Sequence, residues 1–117
     1  MKYLLGIDFG GGASKATLLG EDGVRAASHS VEYPTYYPQN GYAEQNPQDW
    51  YAAVKENIAQ LLEKSGVDKE DIAALCLDAA THTAVLADKD GAVLRPAIYW
   101  TAVSYTHLRA HETGRNL

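Results

Sequence analysis

Apolar residues follow two different rhythms along this chain. From Tyr3 to Ile7 and again from Ala16 to Leu19 they form short runs bracketed by glycine and charged residues; between Trp50 and Leu62 they recur at three- and four-residue intervals. The short runs predict strands and the longer interval predicts a helix with one apolar face. The first strand is expected from about Lys2 to Asp8 and the second from about Ser14 to Leu19. Gly20-Glu21-Asp22-Gly23 has the Asp-Gly chemistry of a turn. Val24 to Tyr33 reads as a third, more polar strand, which completes an antiparallel meander. The prolines at 34 and 38 and the Asn40-Gly41 pair predict a loop.

The helix has clear start and stop signals. Asn46 suits the N-cap, Pro47 the first helical position, and Asp49 places negative charge in the first turn. Trp50, Tyr51, Val54, Ile58, Leu61 and Leu62 make the expected apolar face, and Gly66 the stop. Asp68 to Asp71 reads as a polar turn or short helical piece. Ile72 to Leu77 is almost continuously apolar, as for a strand covered on both faces, and ends at Asp78. Thr83 to Ala87 is expected as a further strand, closed by the Asp88–Gly91 turn, with short extended pieces at Val93-Leu94 and from Ala97 to Trp100. Three antiparallel strands, a helix, then a strand returning parallel to the first make an α/β chain of the ribonuclease-H-like or actin-like ATPase half-domain type. In that topology Asp8 and Asp78 project from the same sheet edge.

Composition narrows the function classes. At 117 residues, 46% hydrophobic and 21% charged, the chain has the balance of one small globular domain. A net charge of −5 argues against a nucleic-acid partner. No apolar run has membrane length and no leader is visible, so a cytoplasmic protein without a membrane partner is expected. The one cysteine, Cys76, excludes a disulfide framework; within its apolar run it is expected as a buried, reduced thiol.

The candidate chemistry centres on Gly6-Ile7-Asp8-Phe9-Gly10-Gly11-Gly12-Ala13-Ser14-Lys15. Three glycines remove every Cβ from the turn, so backbone N–H groups can approach an anion, and a carboxylate beside such a loop suits a divalent cation. An ordinary glycine-rich hairpin is the competing reading. A Walker loop and a dinucleotide fingerprint are both excluded, because no helix follows the glycines. Trp50 reads as helix core, Tyr36, Tyr37 and Tyr42 as loop residues packing at the domain edge, Glu44 as a sheet-edge charge, and His29 as exposed.

The segment from Gly6 to Ala16 resembles the first phosphate motif of the sugar kinase, actin and Hsp70 superfamily. Gly41-Tyr42-Ala43-Glu44-Gln45-Asn46-Pro47-Gln48-Asp49-Trp50 is similar to the Gly-aromatic-x-Glu-Gln-x-Pro-x-x-Trp segment of FGGY-type carbohydrate kinases. His82 to Asp88, followed by Leu94 to Trp100, resembles the xylulokinase branch. The resemblance implies ATP-dependent phosphorylation of a sugar or polyol hydroxyl with Mg²⁺. Asp8 would help hold the metal, Gly10, Gly11, Gly12, Ser14 and Lys15 would face the phosphates, and Thr81 and His82 would contact the sugar. It leaves room for a homodimer in the full-length protein. It also implies that this chain is the N-terminal part of the first domain, lacking the catalytic base, the adenine site and later strands of its sheet. Glycine stands at 11 and 12 where the family carries hydroxyl residues, Ala79-Ala80 replaces a glycine-glutamine pair, and Thr81 a methionine. Those departures leave the sugar open.

Two other functions use the same fold. A metal-dependent nuclease would employ Asp8 and Asp78 with Glu56 as a third carboxylate, and a non-catalytic sugar or nucleotide sensor would lack the base. Residues 1–101 follow the family pattern, whereas 102–117 lose all periodicity. The string Ala102 to Thr113 resembles the translation of a sequencing-library adapter, so 102–117 is expected to be a non-native tail outside fold and function.

Overall fold

Burial alternates with a period of two along the first strand: Leu5 and Ile7 are buried while Leu4, Gly6 and Asp8 face solvent. The computed structural model describes residues 1–99, so Trp100 and the 102–117 segment lie outside the described residues. In chain order the elements are β1 (Tyr3–Phe9), β2 (Ala13–Gly20), β3 (Arg25–Glu32), β4 (Glu44–Gln45), α1 (Pro47–Ser65), a 3₁₀ turn at Lys69–Asp71, β5 (Ile72–Ala79) and β6 (Ala97–Ile98). The chain divides into two units, Met1–Tyr33 with Trp50–Ala80, and Pro34–Asp49 with the segment from Thr81 onward.

The first unit carries a four-stranded sheet in the order β3-β2-β1-β5. β1 and β3 both run antiparallel to β2, and β5 runs parallel to β1. The parallel pair needs a crossover, which α1 supplies. Leu5 and Ile7 of β1, Ala16 and Leu18 of β2, and Leu61 of α1 form the core, with Val54 and Ile58 packed against it. Asn46 caps the helix, its Oδ1 accepting from the Gln48 amide at 3.0 Å. The helix ends where Gly66 adopts a φ of +69°, with its amide donating to the Leu62 carbonyl at 3.0 Å. The α/β half-domain expected from the order of apolar segments is therefore the one observed.

Several expectations change. β5 is exposed rather than covered on both faces: Leu75 and Leu77 are each more than half exposed and Cys76 is an exposed free thiol, not a buried one. Among the described residues β5 has a strand partner on one side only, and the packed core lies around β1 and β2. Tyr51 leaves the apolar face of α1 and lies under the Lys55 ammonium, 4.7 Å from its ring centroid. The buried residues of α1 are Ala53, Asn57 and Leu61.

The second unit pairs β4 with β6, Glu44 opposite Ile98. Ala43 and Ile98 are buried there, with Ala84 and Tyr99 against them. The strand expected from Thr83 to Ala87 is reduced to single bridges, Ala84 to Ile98 and Ala87 to Val93. β4 itself was concealed in a stretch whose Gly, Pro and Asn content reads as loop and helix cap. Among the described residues no helix is long and apolar enough to cross a membrane.

Candidate functional site

Strand register places Asp8 opposite Lys15 on one side and opposite Asp78 on the other. Because alternate strand residues share a face, Asp8, Lys15 and Asp78 stand together on the open side of the sheet, away from the buried set. They line a shallow cavity of about 280 Å³ with Gly6, Thr17 and Cys76. The Asp8 carboxyl is raised above its ordinary value, first by a hydrogen bond shared with Asp78, then by partial desolvation and by the Asp78 charge. Two carboxylates forced together, with a lysine across the strand, form a donor set that a hydrated divalent cation would relieve and to which an anion could be held.

The glycine turn lies at the end of β1, directly after this pair. Gly10 donates to the Ala13 carbonyl at 2.9 Å. A Cβ at Gly10 would meet that same carbonyl at 3.1 Å, tighter than an ordinary contact, so the close approach favours glycine. Gly12 differs. A Cβ there would meet nothing within 4 Å, and no left-handed backbone demands glycine. The fold does not require a glycine at this position, and open space stands beside the turn there. The turn is held from behind by Tyr33, whose hydroxyl donates to the carbonyls of Gly10 at 2.5 Å and Ala13 at 3.2 Å while its amide donates to Gly12 at 3.0 Å.

Ser14, expected beside the phosphates, occupies the other face. It is fully buried, and Asn57 Nδ2 donates to its hydroxyl at 3.2 Å and to its carbonyl at 3.1 Å. The period of two decides this: if Lys15 faces the open side, Ser14 cannot. His29 is not simply exposed either, since its Nδ1 lies 3.0 Å from Asn57 Oδ1. Nothing in the sequence marked Tyr33 or Asn57; a tyrosine before proline and an asparagine on an apolar helix face were the available signals.

Thr81 and His82 belong to the second unit and are exposed. His82 has a φ of +55°, an uncommon conformation for a residue with a Cβ. Glu44 is not a bare edge charge but forms an ion pair with Arg95. This pair helps wall a cavity of about 630 Å³ that also includes Tyr36 and Tyr37. Glu56 is exposed on α1, which packs against the sheet face opposite Asp8. Among the described residues no group of three His, Cys, Asp or Glu side chains is arranged to hold a metal, so the third carboxylate a two-metal nuclease would need is not brought to Asp8 and Asp78.

A sequence profile described as "FGGY family of carbohydrate kinases, N-terminal domain" matches residues 3–112. The match runs past Thr101, so it gives no support to a boundary at that residue. A xylulose kinase of Bacillus subtilis (strain 168) is 41% identical over 100 residues, covering 86% of this chain and 20% of its own length. A glycerol kinase of Afipia carboxidovorans is 35% identical over 101 residues, covering 86% and 20%. Among solved structures, a ligand-bound xylulose kinase from Lactobacillus acidophilus superposes with a TM-score of 0.82 at 30% identity, covering 98% of this chain and 23% of that one. The chain spans about one-fifth of the length of the curated relatives it matches.

Proposed function

Because the chain belongs to the FGGY family of carbohydrate kinases, we propose that it forms the phosphate- and metal-holding part of an ATP-dependent sugar or polyol kinase. The observation that carries this reading is the alignment of Asp8 with both Lys15 and Asp78 on the open sheet face, next to a turn whose Gly12 leaves space no fold requirement explains. Asp8, with Asp78 beside it, would hold Mg²⁺. Gly10, Gly11, Gly12 and Lys15 would lie against the phosphates. Ser14 contributes from the other face, by fixing β2 to α1. When bound, Mg²⁺ would supply positive charge against the phosphate oxygens.

The xylulose kinase branch is favoured by the 41% identity to the Bacillus subtilis enzyme and by the His82-to-Asp88 segment. Thr81 and His82 are assigned to the sugar hydroxyls, an imidazole being able to donate or accept there. The departures at Ala79, Ala80 and Thr81 make the sugar itself the open variable. We assign the catalytic base to a segment outside this chain, so the polypeptide of 117 residues is expected to lack kinase activity by itself. We further infer that 1–101 is the family domain and that 102–117 is an adapter-derived tail, on the match of Ala102–Thr113 to one reading frame of the adapter.

The test is a panel of pentuloses, hexonates and polyols presented with MgATP to the full-length protein that carries this domain, reading ADP release. Release with one class of acceptor, abolished in Asp8→Asn, supports the assignment. Release that ignores the acceptor and survives Asp8→Asn overturns it.

A further inference from the structure

Tyr33 lies at the end of β3, outside every motif that carries the kinase assignment, yet three carbonyls of the glycine turn converge on it. Its hydroxyl takes Gly10 and Ala13, and its amide takes Gly12. The side chain is 6% exposed, so this phenol is a fixed internal fixture and not a surface contact. A peptide group is planar, and its N–H points opposite to its C=O. Holding the carbonyls of Gly10, Gly12 and Ala13 therefore sets the planes that also carry the amides of Gly11, Ala13 and Ser14. A run of glycines has more backbone freedom than any other sequence, and neither Gly10 nor Gly12 is locked by a left-handed turn conformation. The turn's own Gly10-to-Ala13 hydrogen bond closes it at one point, and Tyr33 adds three contacts from outside that hold it in one shape, so its amides can meet an anion at a smaller cost in ordering.

We propose that Tyr33 is a positioning residue for nucleotide phosphate: its hydroxyl pre-sets the glycine turn that receives the anion, and it touches neither phosphate nor metal itself. This rests on the reading of Gly10–Gly12 as a phosphate turn. It differs from a stabilising role in its consequences. A tyrosine that only stabilised the fold would affect unfolding and leave phosphate affinity per folded molecule unchanged.

The experiment compares wild type, Tyr33→Phe and Tyr33→His in the full-length kinase that carries this domain. The readouts are MgADP affinity by titration calorimetry, the thermal midpoint, and hydrogen exchange in peptides spanning Gly10–Ala13. For Tyr33→Phe the dissociation constant for MgADP is expected to rise about five- to tenfold, with faster exchange in the turn, unchanged exchange in α1, and a midpoint lowered by no more than about 5 °C. Tyr33→His keeps a ring donor and should fall between the two; if the phenylalanine variant does not fold, the histidine variant carries the comparison. Unchanged affinity in a folded variant overturns the proposal, whether or not the midpoint moves. Asp8→Asn, measured alongside, separates the two readings. If Asp8→Asn weakens MgADP and Tyr33→Phe does not, only the role of Tyr33 fails. If neither does, the phosphate site fails as well.

Discussion

Asn57 donates to Ser14 twice, to its carbonyl at 3.1 Å and to its hydroxyl at 3.2 Å, and both residues are fully buried. This is the polar bolt between α1 and β2, and it sits behind the glycine turn. His29 closes the far side of the same amide at 3.0 Å.

Breaking that bolt should cost stability. Asn57→Leu removes the buried donor that serves the Ser14 hydroxyl and carbonyl, so a loss of about 1–3 kcal/mol is expected. Ser14→Ala removes only one of the two acceptors and should cost less. Urea unfolding of both variants checks the order; equal effects would mean that Asn57 acts through volume and not through its hydrogen bonds.

Asp8 and Asp78 should make stability depend on pH. The Asp8 carboxyl is raised above its ordinary value, chiefly by the hydrogen bond to Asp78. A raised carboxylate contributes stability that is present below the ordinary value and lost as the pH rises through the raised one. Relative to Asp78→Asn, wild type is therefore expected to be favoured in acid and to lose that advantage toward neutral pH. Mg²⁺ at neutral pH should raise the wild-type melting temperature more than that of Asp78→Asn. Parallel melting curves from acid to neutral pH would contradict this.

The glycines at 10 and 12 should respond in opposite ways to the same substitution. Gly10→Ala pushes a Cβ to 3.1 Å from the Ala13 carbonyl, and overpacking against backbone typically costs about 1–3 kcal/mol. Gly12→Ala meets open space and should leave stability unchanged or raise it by about 0.4–1 kcal/mol through the unfolded chain. If Gly12 is kept clear for phosphate, its variant loses MgADP affinity despite its stability. Thermal melts paired with calorimetry decide the point.

The DNA encoding Ala102 to Thr113 should read as one frame of adapter sequence. Reading those codons is sufficient: synonymous codons incompatible with the adapter at several positions would make the segment native.

The fold was largely legible because its signals are local. The runs Tyr3–Ile7 and Ala16–Leu19, the Asp22-Gly23 turn, and the Asn46-Pro47 helix start each carry their own chemistry, and the strand order follows once α1 is seen as a crossover. What escaped depends on partners remote in sequence. Asn57 is a polar residue at an inward helix position, and only the Ser14 acceptors on β2 explain it. Tyr33 acquires its role from carbonyls some twenty residues earlier. The apolar run at Ile72–Leu77 suggested burial, but composition cannot say which neighbours are present to provide it. In the candidate site the register sets Asp8 beside both Lys15 and Asp78, whereas Ser14, adjacent to Lys15 on the same strand, points to the buried face because adjacent strand residues alternate.

The exposure of Cys76 has a practical consequence. It is the only thiol in the chain, and it lies opposite Gly6 on the parallel strand, two residues before Asp78 and beside the same shallow cavity. A fluorophore or spin label attached through sulfur would therefore report from one address within these 117 residues. The occupancy of the carboxylate pair could then be followed by optical or magnetic signal in real time.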